Sequence, residues 1–456
     1  MSYIGSNPVT QSFIAGTDYF NGDGSTTAFT LSRSVVSTND IQATVNNVVQ
    51  QPNTAYTVNG TTITFTSAPS AGTGNIYVRY LSTTTQSITP SQNTVSYSTL
   101  NSDNQSKLGI SFKNRIINGA MVIDQRNAGA STSAVNGTYT LDRWATLSFT
   151  GGGVTGKFTV QQNAGSVTSP VGFSNYIGLT SSAATTVSSG SIFGLYQYIE
   201  GYNVADLNWG TANAKTITLS FWVYSSLTGT YGCALQNAAT NRNYPFTYTI
   251  NSANTWEQKS VTITGDTTGT WGTTNGVGIA LIFGLGIGSS YSGTAGAWTG
   301  TANVYGATGS TNWVSTSGAT FYLTGVQLEV GTQATTFDYR SYGTELALCQ
   351  RYYSVISGNG TAYAGLGSGF GTGTTTGNAY VQFPVTMRSI PTVTNVNAWV
   401  NTTAANTAIT SISPSSGFNG TFLSSFTVAS GITTGQGLLI TAGSSGNGAI
   451  TMSAEL

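Results

Sequence analysis

Histidine is absent from this chain of 456 residues. Its absence removes the imidazole base of Ser-His-Asp and Cys-His nucleophiles and the imidazole ligand of most zinc centres. Cys233 and Cys349 cannot complete a zinc site alone, and two cysteines so far apart do not make a disulfide framework. Buried, inert thiols are the plain reading, with one bridge or a redox role as the alternatives. Carboxylates are the catalytic groups that remain. Cleaving a glycosidic bond takes two of them at a fixed separation, and the chain has five Glu: Glu200, Glu257, Glu329, Glu345 and Glu455. Glu257 falls on an alternating strand, Glu345 on a short helix and Glu455 near the end, all expected to be solvated. No two acids share a local pattern, so the sequence assigns no catalytic residue, no metal ligand and no cofactor, and predicts a protein that is not an enzyme. Asn21-Gly22-Asp23-Gly24-Ser25 lacks the acid that closes a calcium loop and reads as a turn. The alternating glycines of Gly365 to Gly373 precede no helix that could hold a phosphate, and read as a loop or flexible strand pair.

What remains is aromatic. Trp271, Tyr291, Trp298, Tyr305 and Trp313 lie among Gly, Ser, Thr and Asn, where the alternation that would bury them is weak. Exposed rings bordered by hydroxyls and amides suit a sugar, whose C–H face stacks on the ring while its hydroxyls pair with Asn, Thr or Gln. These five are the candidate glycan-binding residues. The competing reading makes each a loop anchor tucked onto a core.

The elements that would hold them are strands. Charged residues make up 6% of the chain, far below the usual quarter, while aromatics reach 11%, so the chain folds but solvates its surface with neutral groups. Abundant Gly, Thr, Tyr and Val with little Leu, Lys and Glu favours strands and tight turns. A net charge of zero without a basic block predicts no nucleic-acid partner. The longest apolar run, Gly276 to Gly288, is too short and too rich in glycine to span a bilayer, and the first ten residues show no signal-peptide pattern.

Residues 1–17 read as an N-terminal arm. From 18 to 81, Ala28–Leu31, Ile41–Val45, Thr62–Thr66 and Ile76–Tyr80 alternate between turn residues and predict a small β-sandwich. A Ser/Thr/Gln/Asn-rich linker covers 82–111. Residues 112–340 hold seven of the eight Trp and strong strand signals at Ile217–Val223, Trp256–Ile263 and Phe321–Leu328, which suit a two-sheet jelly roll. A helical connector is expected over 341–357, centred on Thr344 to Tyr353 with Leu346, Cys349 and Tyr353 on one face. Residues 358–456 return to strands, including Tyr380–Phe383 and Pro391–Val396, as a separate C-terminal β-domain. The fold class is therefore all-β, with tandem β-sandwich domains. No fixed-period repeat is visible, which argues against a propeller or solenoid.

Asn114-Arg115-Ile116-Ile117-Asn118-Gly119-Ala120-Met121, Asp124-Gln125-Arg126 and Leu141-Asp142-Arg143-Trp144 resemble the tail fibre and receptor-binding proteins of tailed bacteriophages. So do Phe321 through Gly331, Thr335 through Arg340 and Cys349-Gln350-Arg351-Tyr352-Tyr353. In that family these motifs bracket a jelly roll similar to carbohydrate-binding modules. Tyr19 through Leu31 and Thr62 through Pro69 resemble a module near the start of such fibres, cyanophage ones included, and Phe383 through Val393 resembles their tip module. The resemblance implies a homotrimer in the virion, made in the host cytoplasm and acting outside the cell. Its N-terminus would dock on a tail or adaptor protein and its distal part would meet a host surface glycan. A decoration or adaptor protein touching only virion proteins is the alternative, and a polysaccharide depolymerase the third reading.

Overall fold

In the computed structural model, residues 16–81, 113–154, 156–402, 406–417 and 421–456 are described. Most of the expected arm and the whole expected linker lie outside them. The chain divides into two compact units, one within residues 1–106 and one within 107–456.

Among the described residues the first unit has six strands: β1 (Thr17–Gly22), β2 (Ala28–Val35), β3 (Ile41–Val45), β4 (Val48–Val49), β5 (Tyr56–Phe65) and β6 (Gly72–Tyr80). They form a sheet in the order β1-β6-β3-β4 and a β2-β5 pair. Alternation puts Leu31, Ile41, Tyr56, Ile63, Phe65, Ile76 and Val78 into one core. Asn46 and Asn47, with φ of 49° and 61°, close the β3–β4 hairpin in the left-handed conformation Asn tolerates. The Asp23 carboxylate accepts the Thr26 amide and hydroxyl, each at 2.6 Å, and the Ser25 amide at 2.8 Å. Its acceptors serve the turn, as the sequence predicts.

The second unit begins with β7 (Thr132–Ser133), β8 (Tyr139–Leu141), β9 (Trp144–Thr150), β10 (Gly153–Val154), β11 (Phe158–Gln162), β12 (Ile177–Ser181) and β13 (Ile192–Glu200). There follow β14 (Ile217–Ser225), β15 (Gly229–Gln236), β16 (Asn243–Ile250), β17 (Glu257–Ile263), β18 (Val277–Ile287), β19 (Ser292–Gly293), β20 (Gly306–Ala307) and β21 (Thr320–Val330). One sheet runs β10-β9-β13-β18-β15-β16 with β8 beside β9, and the facing sheet runs β17-β14-β21-β12-β11-β7. Trp144, Phe158, Leu195, Phe221, Phe283, Phe321 and Leu323 fill the layer between them. Strand β18 is the long apolar run of the sequence, and nine of its eleven residues are buried. Its outward Ile282 packs beside Tyr196 and Tyr305, the latter from the segment that follows the strand. Gly232 on neighbouring β15 leaves room for that segment, because a Cβ there would stand 2.7 Å from the Ala307 amide.

The helix α1 spans Tyr342–Gln350, two residues earlier than expected, because the Ser341 hydroxyl caps it by accepting the Thr344 amide. Cys349 is buried with Ile117 and Ile123, and Leu346 packs partly against them. Tyr353 has left the helix for β22 (Tyr353–Ser357). Next come β23 (Gly365–Gly371), β24 (Thr376–Gln382), β25 (Thr392–Val396), β26 (Trp399–Asn401), β27 (Asn406–Gly417), β28 (Thr421–Val428), β29 (Gly437–Thr441) and β30 (Ala449–Ser453). Strands β23-β24-β28-β27-β26-β29 close a barrel, and β22-β30-β25 form a small sheet. The glycine-alternating segment is therefore a barrel strand, β23, and not a loop.

The barrel region and the sandwich fall within one compact unit, and each has its own hydrophobic core. An ionic joint links them. Arg143 pairs with Glu455, donates to the Tyr198 carbonyl and lies 3.6 Å from the centre of the Tyr352 ring. Arg126 pairs with the same Glu455 at 2.7 Å and lies 3.7 Å over the Tyr353 ring. Glu200 receives Arg351 at 2.6 Å and the Tyr352 hydroxyl. Arg340 reaches Glu345 and the carbonyls of Asn114 and Ile116, while Glu345 also accepts the Asn118 amide. Glu345, expected in solvent, is therefore buried, and Glu455, expected there too, is half-buried with its carboxylate held in the joint. Arg126 and Arg143 lie hundreds of residues from Glu455, as Asn118 does from Glu345, whereas Arg340 stands five residues before Glu345.

Asp142 sits beside this joint, completely buried, and accepts the backbone and side-chain N–H groups of Gln125 at 2.7 Å each. Burial pushes its carboxyl up from 3.8 to about 6, against the opposing pull of Arg126 and the Gln125 hydrogen bonds. A raised carboxyl costs nothing below its unfolded value and its full penalty above its folded one, so this group should lower stability by about 2–3 kcal/mol as pH rises from about 4 to 6. Asp142→Asn should remove that component. Denaturant titrations of both proteins across this range check it: parallel pH profiles would show that Asp142 is not the source.

Candidate functional site

The five aromatic candidates fall into three places. Trp313 is in the core at 0% exposure, edge-on to Phe158 and Phe321 at 6.0 and 6.5 Å. A residue with no accessible surface touches no ligand, so the expectation fails here. A short 3-10 turn, Trp313–Ser315, carries the ring between the sheets, and such a turn leaves no alternation to reveal it.

Trp271 and Trp298 come together and are joined by Trp209, which the sequence reading passed over. Trp271 lies 4.7 Å from Trp209 and 5.4 Å from Trp298, all edge-to-face, and Tyr244 meets Trp298 at 5.1 Å. Each indole N–H is satisfied within the protein: Trp209 by the Lys215 carbonyl, Trp298 by the Thr264 carbonyl, Trp271 by Asp266 and the Thr268 carbonyl. Burial alone would raise the Asp266 carboxyl, but the two Arg242 hydrogen bonds at 2.6 and 2.8 Å outweigh it and hold the acid ionised. Trp271 is only 8% exposed, less than expected, because the interlocked indoles cover one another. What stays open is a recess of about 140 Å³, with Trp209, Trp271 and Ile279 as apolar walls and Asn208, Thr211 and Thr273 among its polar lining. Asn208–Trp209–Gly210 carried a usable signal, an indole set between turn residues.

Tyr291 and Tyr305 pair 5.8 Å apart, edge to face, and the Tyr305 amide donates to the Tyr291 carbonyl. Both rings are half-buried. Tyr305 packs against Ala145, Tyr196 and Ile282 on the outer face of the β9-β13-β18 sheet, together with Tyr139 and Tyr198. The Tyr196 and Tyr198 rings are 4.7 Å apart, and burial pushes both phenols above their ordinary values. They stay neutral and protonated at physiological pH. Tyr196 and Tyr198 follow from the strand period as an outward-facing pair on β13, but only the register with Ala145 and Ile282 shows that they meet Tyr305.

Cys233 and Cys349 are free and buried, and burial raises both thiols well above their ordinary value, which suppresses the nucleophilic thiolate. Among the described residues no three His, Cys, Asp or Glu side chains gather as metal ligands, and no helix is long and apolar enough to cross a membrane.

Residues 12–107 match the family model of the phage T7 tail fibre protein, N-terminal domain. This chain resembles the phage tail fibres. The tail-fibre match coincides with the first compact unit, and the later motifs fall in the second. No curated protein matches the chain. Among solved structures, the enzymatically active domain of tailspike protein 4 from bacteriophage CBA120 is 13% identical over 48% of this chain, with a TM-score of 0.25. The similarity spans 21% of that tailspike's length. A putative sugar binding protein from Bacteroides thetaiotaomicron aligns over 48% of this chain and 100% of its own, at 11% identity and a TM-score of 0.29. The family 11 carbohydrate-binding module from Clostridium thermocellum aligns over 46% and 100%, at 11% identity and 0.24. At these scores the structural likenesses decide neither ligand nor activity.

Proposed function

We propose that the chain is a virion adhesin: a tail fibre protein, assembled as a homotrimer, that docks on a tail or adaptor protein through its N-terminal segment and holds host surface polysaccharide without cleaving it. The observation that carries the virion role is the match of residues 12–107 to the tail fibre N-terminal domain. Ligand binding is assigned to the tyrosine ledge of Tyr198, Tyr291 and Tyr305, backed by buried Tyr196, with the Trp209–Trp271 recess beside Asn208, Thr211 and Thr273 as a second contact. Both offer neutral rings and neutral hydrogen-bonding groups, the chemistry a sugar needs. Weak single sites gain from repetition on several fibres.

Binding without turnover is supported by the state of the carboxylates. Glu200, Glu345, Glu455 and Asp266 are each held by arginine, and Glu257 by Lys259 and two backbone amides. A general acid needs its proton and its freedom to approach the substrate.

The test is retention of host cells or their polysaccharide by the assembled protein. Tyr291→Ala with Tyr305→Ala should weaken it about tenfold or more, the equivalent of about 1.4 kcal/mol. A blank glycan array together with a blank host-cell pull-down would remove the adhesin reading and favour the decoration-protein alternative. Light scattering checks the trimer, and a monomer at micromolar concentration would contradict it.

A further inference from the structure

Two groups of motifs in the sequence, one running from Asn114 to Met121 and the other from Phe337 to Arg340, converge on a recess that the reading above leaves unused. Its lining includes Asn114, Phe173, Phe337, Asp338, Tyr339 and Glu345, around about 120 Å³. The rings of Phe173, Phe337 and Tyr339 contact one another at 5.0, 5.6 and 4.9 Å, and Tyr339 remains 58% exposed. Two glycines make room for this arrangement. Phe173 lies on Gly325 (φ +61°), where a Cβ would come 2.6 Å from the ring, and the Tyr339 hydroxyl stands 2.5 Å from where a Cβ on Gly172 (φ +92°) would be. The two carboxylates of the recess differ. Glu345 is committed to Arg340 and the Asn118 amide, whereas the carboxylate of half-buried Asp338 accepts, among the described residues, one long bond of 3.3 Å from the Asn114 amide. Asp338 therefore retains most of its acceptor capacity beside an aromatic wall.

We infer that this recess is a separate subsite for a single pyranose ring bearing free hydroxyls, such as a chain end or side branch of a polysaccharide. The aromatic wall takes the C–H face of the sugar, and the Asp338 carboxylate accepts its hydroxyls in charge-assisted bonds. A recess of about 120 Å³ is on the scale of one ring. The inference rests on the adhesin reading but uses none of its residues, so the two can fail independently.

Saturation-transfer NMR of the full chain with methyl glucoside, methyl galactoside and the methyl glycoside of N-acetylglucosamine tests it. At least one glycoside should bind, with the signal surviving in Tyr291→Ala/Tyr305→Ala and its affinity falling about tenfold in Asp338→Asn and in Tyr339→Ala, the loss of a charge-assisted hydrogen bond or a stacking ring. Asp338→Asn preserves shape and the Asn114 contact, and an unchanged thermal midpoint excludes unfolding as the cause. Binding untouched by both substitutions, or no glycoside bound by the wild type, overturns the subsite. Polysaccharide retention in the same samples then shows whether the adhesin reading stands without it.

Discussion

Replacing Arg143 with methionine should lower the unfolding free energy by about 3 kcal/mol or more, the cost of breaking a buried ion pair from one side. Its side chain is 1% exposed, and its removal leaves Glu455 with Arg126 alone in a site closed to water. Tyr352 also loses the guanidinium stacked on its ring. The double variant Arg143→Met/Glu455→Gln should cost less than the two single variants added together, because the Arg143–Glu455 interaction can be lost only once, even though Arg126 also loses its carboxylate. Denaturant unfolding of the wild type, both single variants and the double variant gives the coupling energy directly. A cycle that adds without coupling would mean that the joint does not hold sandwich and barrel together. Salt should change the result little, since the pair is shielded from solvent.

Trp313→Ala should be as damaging, about 3–5 kcal/mol, because it empties the space between Phe158 and Phe321. Trp313→Phe should cost much less. It keeps a ring in place and removes an indole N–H that has no acceptor among the described residues. Neither change should alter glycan affinity per folded molecule, and thermal unfolding run beside a binding titration separates the two effects. Affinity that tracked the substitutions at Trp313 would return that residue to the binding surface and contradict its burial.

The strands were legible wherever one face is buried and the other wet. Thr62–Phe65 and Ile76–Tyr80 show this, because a period of two is what a half-buried sheet writes into a sequence. Strand β18 was visible only as an apolar run, since both of its faces are covered and the alternation vanishes. The environments of Glu345 and Glu455 escape a local pattern for a related reason: Glu455 is enclosed by Arg126 and Arg143 only once sandwich and barrel have met, and Glu345 by the distant Asn118 amide as well as by nearby Arg340. The aromatic candidates divided on the same principle. Tyr291 and Tyr305 kept a half-open surface, whereas Trp271 was closed in by Trp209 and Trp298, and Trp313 by both sheets. Residue type and neighbourhood identified rings able to bind a sugar, but the direction of each ring is set by long-range packing. The motifs shared with phage fibres proved mainly architectural, as Asn118 illustrates: it bonds the carbonyls of Ile123 and Asp142, and its own carbonyl accepts the Trp144 indole N–H.

Light scattering coupled to size-exclusion chromatography, applied to host surface polysaccharide incubated with the assembled protein, asks directly whether this chain grips its ligand or breaks it. Co-elution of protein with polymer of unchanged mass is the expected result. Polymer mass that falls with time, and stops falling when Asp338 or Glu345 is changed to its amide, would make the protein a depolymerase instead.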